Sequence, residues 1–164
     1  MALEELHKNN IIYRDLKLEN ILLDEKGYLK LIDFSSSCLM NEGTDKNDKT
    51  YSFCGSPEYM SPEMVESHGH SFPVDWWSLG ILMYELLYGV TPFYDNNTDK
   101  MYELILHAEL KFRDNSVDIS DECKDFIKSL LIKNPRQRLG SNRGFEEIKE
   151  HPFFQGIDWK NIRS

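Results

Sequence analysis

The apolar positions of this chain fall into a few short runs separated by polar breaks. Ile21-Leu22-Leu23 and Tyr28-Leu29-Lys30-Leu31-Ile32 flank the polar stretch Asp24-Glu25-Lys26-Gly27. Two apolar runs around a turn that ends in glycine predict a β-hairpin. Residues 1–8 read as the end of a helix, stopped by Asn9-Asn10, and Ile11-Ile12 then open a new segment. Residues 76–87 are apolar on nearly all sides, which predicts a buried helix, with Asp75 as its N-cap and Gly89 near its end. Further helices are expected over residues 98–107, over 120–131 with Ser120 as a cap-like start, and over 145–150. Residues 34–63 predict a long irregular segment. Inside it residues 41–49 are polar and charged with almost no apolar content, which reads as a mobile loop. Apart from the one hairpin the pattern is helical, so the fold class is mainly α.

Length and charge narrow the function classes. A chain of 164 residues fits one domain and can bury a real core. The net charge of −9 argues against general nucleic-acid binding, which wants a basic face. It suits cationic partners such as arginine-rich peptides, and it also simply favours solubility. The longest apolar stretch, residues 79–87, is interrupted by Glu85 and is too short to span a bilayer. Three widely spaced cysteines, Cys38, Cys54 and Cys123, suggest reduced thiols and a cytoplasmic or nuclear setting. No signal peptide, internal repeat or low-complexity segment is visible. His68 and His70 flank Gly69, but no Cys or carboxylate completes a zinc ligand set at recognisable spacing.

The chemistry concentrates in Tyr13-Arg14-Asp15-Leu16-Lys17-Leu18-Glu19-Asn20 and in Asp33-Phe34. A hydroxyl that attacks a γ-phosphate needs a carboxylate to orient it and take its proton, and a cation near the charge on the transferred group. Asp15 and Lys17, two residues apart on an extended loop, can supply these. Asn20 offers an amide oxygen and Asp33 a carboxylate, both suited to Mg2+, which takes hard oxygen ligands and keeps several waters. The hairpin between Asn20 and Asp33 makes them neighbours. In isolation Asp15 would read as a loop-capping aspartate. With Lys17, Asn20 and Asp33 in register the catalytic reading leads.

This stretch resembles the catalytic loop and metal-binding motif of protein kinases, H-R-D-L-x-x-x-N and D-F-G. The resemblance continues through Ser61-Pro62-Glu63 at the A-P-E position, Asp75-Trp76-Trp77-Ser78-Leu79-Gly80, and Asn134-Pro135-Arg136-Gln137-Arg138-Leu139-Gly140. Lys17 points to the serine/threonine kinases. Tyr13 in place of His, and Ser52-Phe53-Cys54-Gly55-Ser56-Pro57-Glu58-Tyr59, point to the AGC group. Tyr51-Ser52-Phe53-Cys54-Gly55, Gly69-His70-Ser71 and Ile157-Asp158-Trp159 are most similar to the ribosomal-kinase branch.

The resemblance implies ATP and Mg2+ as cofactors, protein substrates, and a helical C-terminal lobe over residues 1–154 followed by the start of a C-terminal extension at 155–164. It implies the following roles. Asp15 and Lys17 are catalytic, and Asn20 and Asp33 hold metal. Ser52 is the phosphosite set by an upstream activating kinase, with Thr50 and Ser56 nearby, and Arg14 pairs with its phosphate. Ser56 sits beside the substrate, while Glu19 and Glu85 bind substrate arginine. Glu63 and Arg138 form a structural ion pair, and Asp75 accepts hydrogen bonds from the catalytic-loop backbone.

Two departures stand out. Ser35 replaces the glycine of D-F-G, and a left-handed conformation there would cost serine about 1–2 kcal/mol. Cys38 stands where a lysine often supports the phosphate. The chain also contains no aromatic C-terminal tail motif, and no G-x-G-x-x-G or V-A-I-K-type strand, so the N-terminal lobe that would cover the nucleotide is expected to lie outside it, with that missing lobe or a parent chain as the implied partner. The isolated chain is then expected to show little or no kinase activity and to bind hydrophobic dyes through apolar surface that the other lobe would cover. A non-catalytic interaction module, or a pseudokinase-like fragment, is the alternative reading. A small-molecule phosphotransferase is disfavoured by Ser61-Pro62-Glu63 and Arg138.

Overall fold

The computed structural model describes residues 1–40, 49–113 and 118–162. The polar stretch 41–49 expected to form a mobile loop therefore lies, except for Lys49, outside the described residues. Six α-helices are described: α1 (Ala2–Lys8), α2 (Pro62–Val65), α3 (Pro73–Tyr88), α4 (Thr98–His107), α5 (Asp121–Leu130) and α6 (Phe145–Glu150). Four short strands join them: β1 (Ile11–Ile12), β2 (Ile21–Leu23), β3 (Leu29–Leu31) and β4 (Cys38–Leu39). No described helix is long and apolar enough to cross a membrane.

The expected hairpin is present. β2 and β3 pair antiparallel with Ile21 opposite Leu31 and Leu23 opposite Leu29. Its turn is held by Asp24, whose carboxylate accepts from the amides of Lys26 and Tyr28, both at 2.9 Å. A second antiparallel pair, β1 with β4, was not expected from the sequence. Two-residue strands leave no readable alternation, and this pairing joins segments far apart in the chain.

α3 is the central pillar. It begins at Pro73, earlier than the sequence pattern suggested, because proline suits the first helical position, where its missing N–H costs nothing. Asp75 consequently lies within the first turn and is not the N-cap. The helix ends at Gly89, whose φ of 72° is the left-handed conformation that glycine adopts without strain. Trp76, Trp77, Ile81 and Tyr84 of α3 pack with Phe126, Ile127 and Leu130 of α5 in the main core. Burying one such Ile, Leu or Phe contributes about 1.5–3 kcal/mol. Leu86, by contrast, is exposed, so α3 is not apolar-covered on every side.

Caps fix the other helix starts. Asn97 accepts from the Lys100 amide at 3.0 Å to begin α4, and Ser120 accepts from the Cys123 amide at 3.2 Å to begin α5. A smaller cluster of Ile12, Met40, Met60, Met64 and Val74 forms a second core, and Cys38 and Cys54 pack against it. At the far end Trp159 packs edge-on against Phe145 and Phe154, at 5.3 and 5.1 Å between ring centroids.

Candidate active site

The backbone at residues 13 and 14 hangs from α3. Asp75, fully buried, accepts from the amide of Tyr13 at 2.9 Å through Oδ2 and from the amide of Arg14 at 2.8 Å through Oδ1. His7 Nε2 of α1 lies 2.7 Å from the same Oδ2. His7 also stacks edge-on with Phe72 and Trp76, at 5.1 and 5.0 Å. Sequence reading singled out Asp75 but missed His7, since nothing near residue 7 hints at a partner on α3. Arg14 takes a left-handed φ of 69°, a cost the two Asp75 bonds help to offset.

Asp15 is the hub of the loop. Its Oδ2 lies 3.0 Å from Lys17 Nζ and accepts from Asn20 Nδ2 at 2.9 Å, and its Oδ1 accepts from Ser56 Oγ at 3.2 Å. Lys17 Nζ also donates to Ser56 Oγ at 2.8 Å, closing a triangle. Asn20 donates a second bond to the Asp15 carbonyl at 2.9 Å. Ser56 reaches this triangle because Gly55 passes against the loop. A Cβ at Gly55 would lie 2.7 Å from the Arg14 carbonyl oxygen, and its φ is 92°. Only glycine fits there.

The hairpin brings the two metal candidates to its open end. One step beyond the β2–β3 ladder, the Ile32 amide donates to the Asn20 carbonyl at 3.0 Å, so Asn20 belongs to the last hydrogen-bonded pair and Asp33 follows it directly. Tyr13 ties this end to the catalytic loop: its hydroxyl donates to the Ile32 carbonyl, and its ring meets Phe34 edge-on at 5.4 Å. Burial, reinforced by Asp15 and Asp33, pushes the Tyr13 hydroxyl up to about 12, so it stays a donor. Asp33 Oδ1 accepts from Ser35 Oγ at 2.6 Å and from the Ser35 amide at 3.1 Å. Those bonds, with the nearby Lys17 charge, hold the Asp33 carboxyl below its ordinary range.

The donor set fits Mg2+. One carboxylate and one amide oxygen leave the remaining positions to phosphate and water, which is how Mg2+ is usually held. Among the described residues no three His, Cys, Asp or Glu side chains gather into a metal cage. The left-handed conformation that would cost a serine does not fall on Ser35. Asp33 is the left-handed residue of this stretch, with φ 58°, while Ser35 is not.

The remaining candidates divide into met and unmet pairs. Arg138 and Glu63 join through two bonds, 2.7 and 2.9 Å, with Arg138 fully buried. Arg14 donates from Nε to the Ser36 carbonyl at 2.6 Å and from Nη1 to Thr50 Oγ1 at 3.4 Å. The structure thus brings Thr50, and not Ser52, to Arg14, and Ser52 lies exposed. Thr50 is held there by paired backbone bonds with His70, both at 2.9 Å. Burial of the His70 ring, with Arg14 nearby, lowers its pKa to about 4. His70 is therefore a neutral, inward-facing bridge residue.

Glu85 accepts a short hydrogen bond from the Tyr59 hydroxyl, and Glu19 is exposed close enough to act on the same hydroxyl. Burial, then Glu85, pushes the Tyr59 hydroxyl well above its ordinary range. Tyr59 was missed in sequence because it reads there only as part of a motif. Glu85 bonds it directly, and Glu19 adds only a weaker electrostatic influence.

With the geometry of the lobe and its loop in place, the family is plain. Residues 1–154 match the protein kinase domain, and the chain belongs to that family, with relatives in its AGC group. It is 51% identical over 162 residues to the serine/threonine-protein kinase gad8 of Schizosaccharomyces pombe, covering 99% of this chain and 27% of that protein. It is 46% identical to protein kinase 2 of Dictyostelium discoideum, covering 98% of this chain and 32% of that one. Ribosomal protein S6 kinase 2 alpha of Gallus gallus is 47% identical over 163 residues, with 99% and 21% covered. The chain thus spans about a fifth to a third of the length of these relatives.

Proposed function

We propose that this chain is the catalytic lower lobe of a serine/threonine protein kinase that transfers the γ-phosphate of ATP to arginine-containing protein substrates. The observation that carries the reading is the cluster on Asp15, where Lys17, Asn20 and Ser56 converge on one carboxylate. Asp15 orients the substrate hydroxyl and accepts its proton. Lys17 lies between that carboxylate and Ser56, placed to meet negative charge on the group in flight. Asn20 and Asp33 would hold the metal ions, which would supply positive charge to the phosphates of the nucleotide. Ser56 borders the incoming hydroxyl.

Glu19 and Glu85, which both act on the Tyr59 hydroxyl, receive substrate arginine, and the acidic net charge of −9 supports the same preference. Ser52 is the proposed activating phosphosite, set by an upstream kinase, with Arg14 as its cation. The leucines of the hairpin, Leu22, Leu23 and Leu29, are all more than half exposed. They offer an apolar face that the nucleotide and the rest of a kinase domain would cover. Alone, this lobe positions only one side of the reaction and transfers little phosphate.

The test is a chimera in which the chain replaces its matching segment of the gad8 kinase, assayed on an arginine-rich peptide. Turnover in the usual kinase range of roughly 1–100 per second is expected, with loss of at least about a hundredfold in Asp15→Asn. A chimera that folds, binds ATP and transfers nothing would favour the alternative of a non-catalytic interaction module.

A further inference from the structure

The serine that replaces glycine after Asp33-Phe34 is joined to the Asp33 side chain itself. Ser35 Oγ donates to Asp33 Oδ1 at 2.6 Å, and the Ser35 amide donates to the same oxygen at 3.1 Å. A glycine would keep the second bond and lose the first. The backbone accommodates the serine without strain. The turn is closed by the Ser37 amide on the Phe34 carbonyl at 3.0 Å, and the left-handed residue is Asp33. Phe34 is pinned against Tyr13, and Ser37 Oγ reaches the Tyr13 carbonyl at 3.4 Å, so both flanks of Ser35 are tied to the catalytic loop.

We propose that Ser35 is a positioning residue that locks the Asp33 carboxylate through its hydroxyl and so strengthens divalent-metal binding at this site. This rests on the reading of Asp33 as a metal ligand. Both bonds fall on Oδ1, so the carboxylate rotor is fixed and Oδ2 is the oxygen it presents to a cation. A ligand carboxylate held by an outer hydrogen bond binds metal in one orientation, and removing such a bond typically costs about 10- to 100-fold in affinity. The hydroxyl therefore substitutes, in this chain, an active tether for the conformational freedom a glycine would give.

The probe is Mn2+, titrated into the full chain at pH 7 and followed by the loss of the free-ion signal in electron paramagnetic resonance. The acidic surface adds background sites, so the quantity read is the Mn2+ uptake lost in Asp33→Ala. Ser35→Ala is expected to weaken that uptake on the order of tenfold, and Ser35→Thr, which keeps the hydroxyl, to restore it. Ser35 is exposed, so both variants should fold, and a thermal melt checks this. An Asp33-dependent uptake that is unchanged or tighter in Ser35→Ala overturns the positioning role and leaves the metal reading intact. Uptake that does not change in Asp33→Ala, or a wild-type chain that takes up no Mn2+, overturns the metal reading and this proposal together.

Discussion

Arg138 and Glu63 form a two-bonded fork between segments 75 residues apart, and neither guanidinium nor carboxylate has appreciable access to water. Arg138 also donates to the carbonyls of Ile132, Pro73 and Lys133, at 3.0, 2.9 and 3.2 Å, and its guanidinium lies 5.1 Å from the Trp77 ring. One side chain thus ties α2, the start of α3 and the loop after α5. Loss of one partner leaves a buried, unpaired charge. Arg138→Ala or Glu63→Ala should destabilise by about 3–5 kcal/mol. Arg138→Lys should recover little of it, because an ammonium cannot reproduce the fork. Urea unfolding measures this, and a loss below about 1 kcal/mol in Arg138→Ala would show the pair to behave as a surface bridge.

Asp75 gives a second prediction, read locally. Its two oxygens serve two backbone amides, and an asparagine keeps only one acceptor oxygen. Asp75→Asn should cost about 1–3 kcal/mol and should speed hydrogen exchange at the amides of Tyr13 and Arg14 beyond the global change. If those two amides keep wild-type protection relative to the rest of the core, Asp75 does not hold the catalytic loop.

The hairpin that brings Asn20 towards Asp33 was legible because its information is local: two apolar runs and a glycine turn within a dozen or so residues. The caps at Ser120 and Gly89 were legible for the same reason. Asp75 shows the limit. An aspartate before an apolar run looks like an N-cap, but Pro73 begins the helix and frees Asp75 to turn towards residues 13 and 14. His7, Tyr59 and His70 each acquire their roles from partners on distant segments, and no period or spacing encodes such meetings. Ser35 was visible as a departure, but which residue of the stretch takes the left-handed backbone was not. The positive φ belongs to Asp33, whose side chain finds its partners within the next two residues.

Ser61 yields a prediction of the opposite sign. It is fully buried at the N-cap of α2, and its hydroxyl has no hydrogen-bond partner. A buried, unsatisfied hydroxyl costs about 1–3 kcal/mol, and the site makes no use of it as a cap. Ser61→Ala should therefore leave stability unchanged or raise it by about 1 kcal/mol. A clear loss in a chemical melt would reveal a partner for the hydroxyl.

The Thr50–Arg14 contact bears on activation. Arg14 reaches Thr50, whereas the proposed phosphosite Ser52 lies two residues further along and is exposed. A phosphate on Ser52 that pairs with Arg14 must slide the segment and break the Thr50–His70 backbone pair. Phosphorylated chain should then show faster amide exchange at Thr50 and His70. Arg14→Gln should abolish that difference. Unchanged protection at both amides on phosphorylation would mean that Arg14 does not capture the Ser52 phosphate.

His70 also makes the fold sensitive to acid. Its ring is buried, with Nε2 unpartnered, and it faces Arg14 on the catalytic loop, Glu63 on α2 and Asp75 on α3. Burial, with Arg14 adding to it, lowers the folded pKa to about 4 from an ordinary 6.5. As pH falls below 6.5 the unfolded chain takes up the proton first and the folded chain resists it. The resulting stability is fully present above 6.5 and drains away as pH falls towards 4, by roughly 3 kcal/mol in all. Between pH 6.5 and 5, before most carboxylates titrate, stability should fall with a slope near one proton, and His70→Phe should flatten it. Direct titration of the His70 ring by NMR gives a check that does not depend on the variant folding. A ring that titrates near its ordinary value would show the imidazole to be solvated and would remove His70 as a source of acid sensitivity.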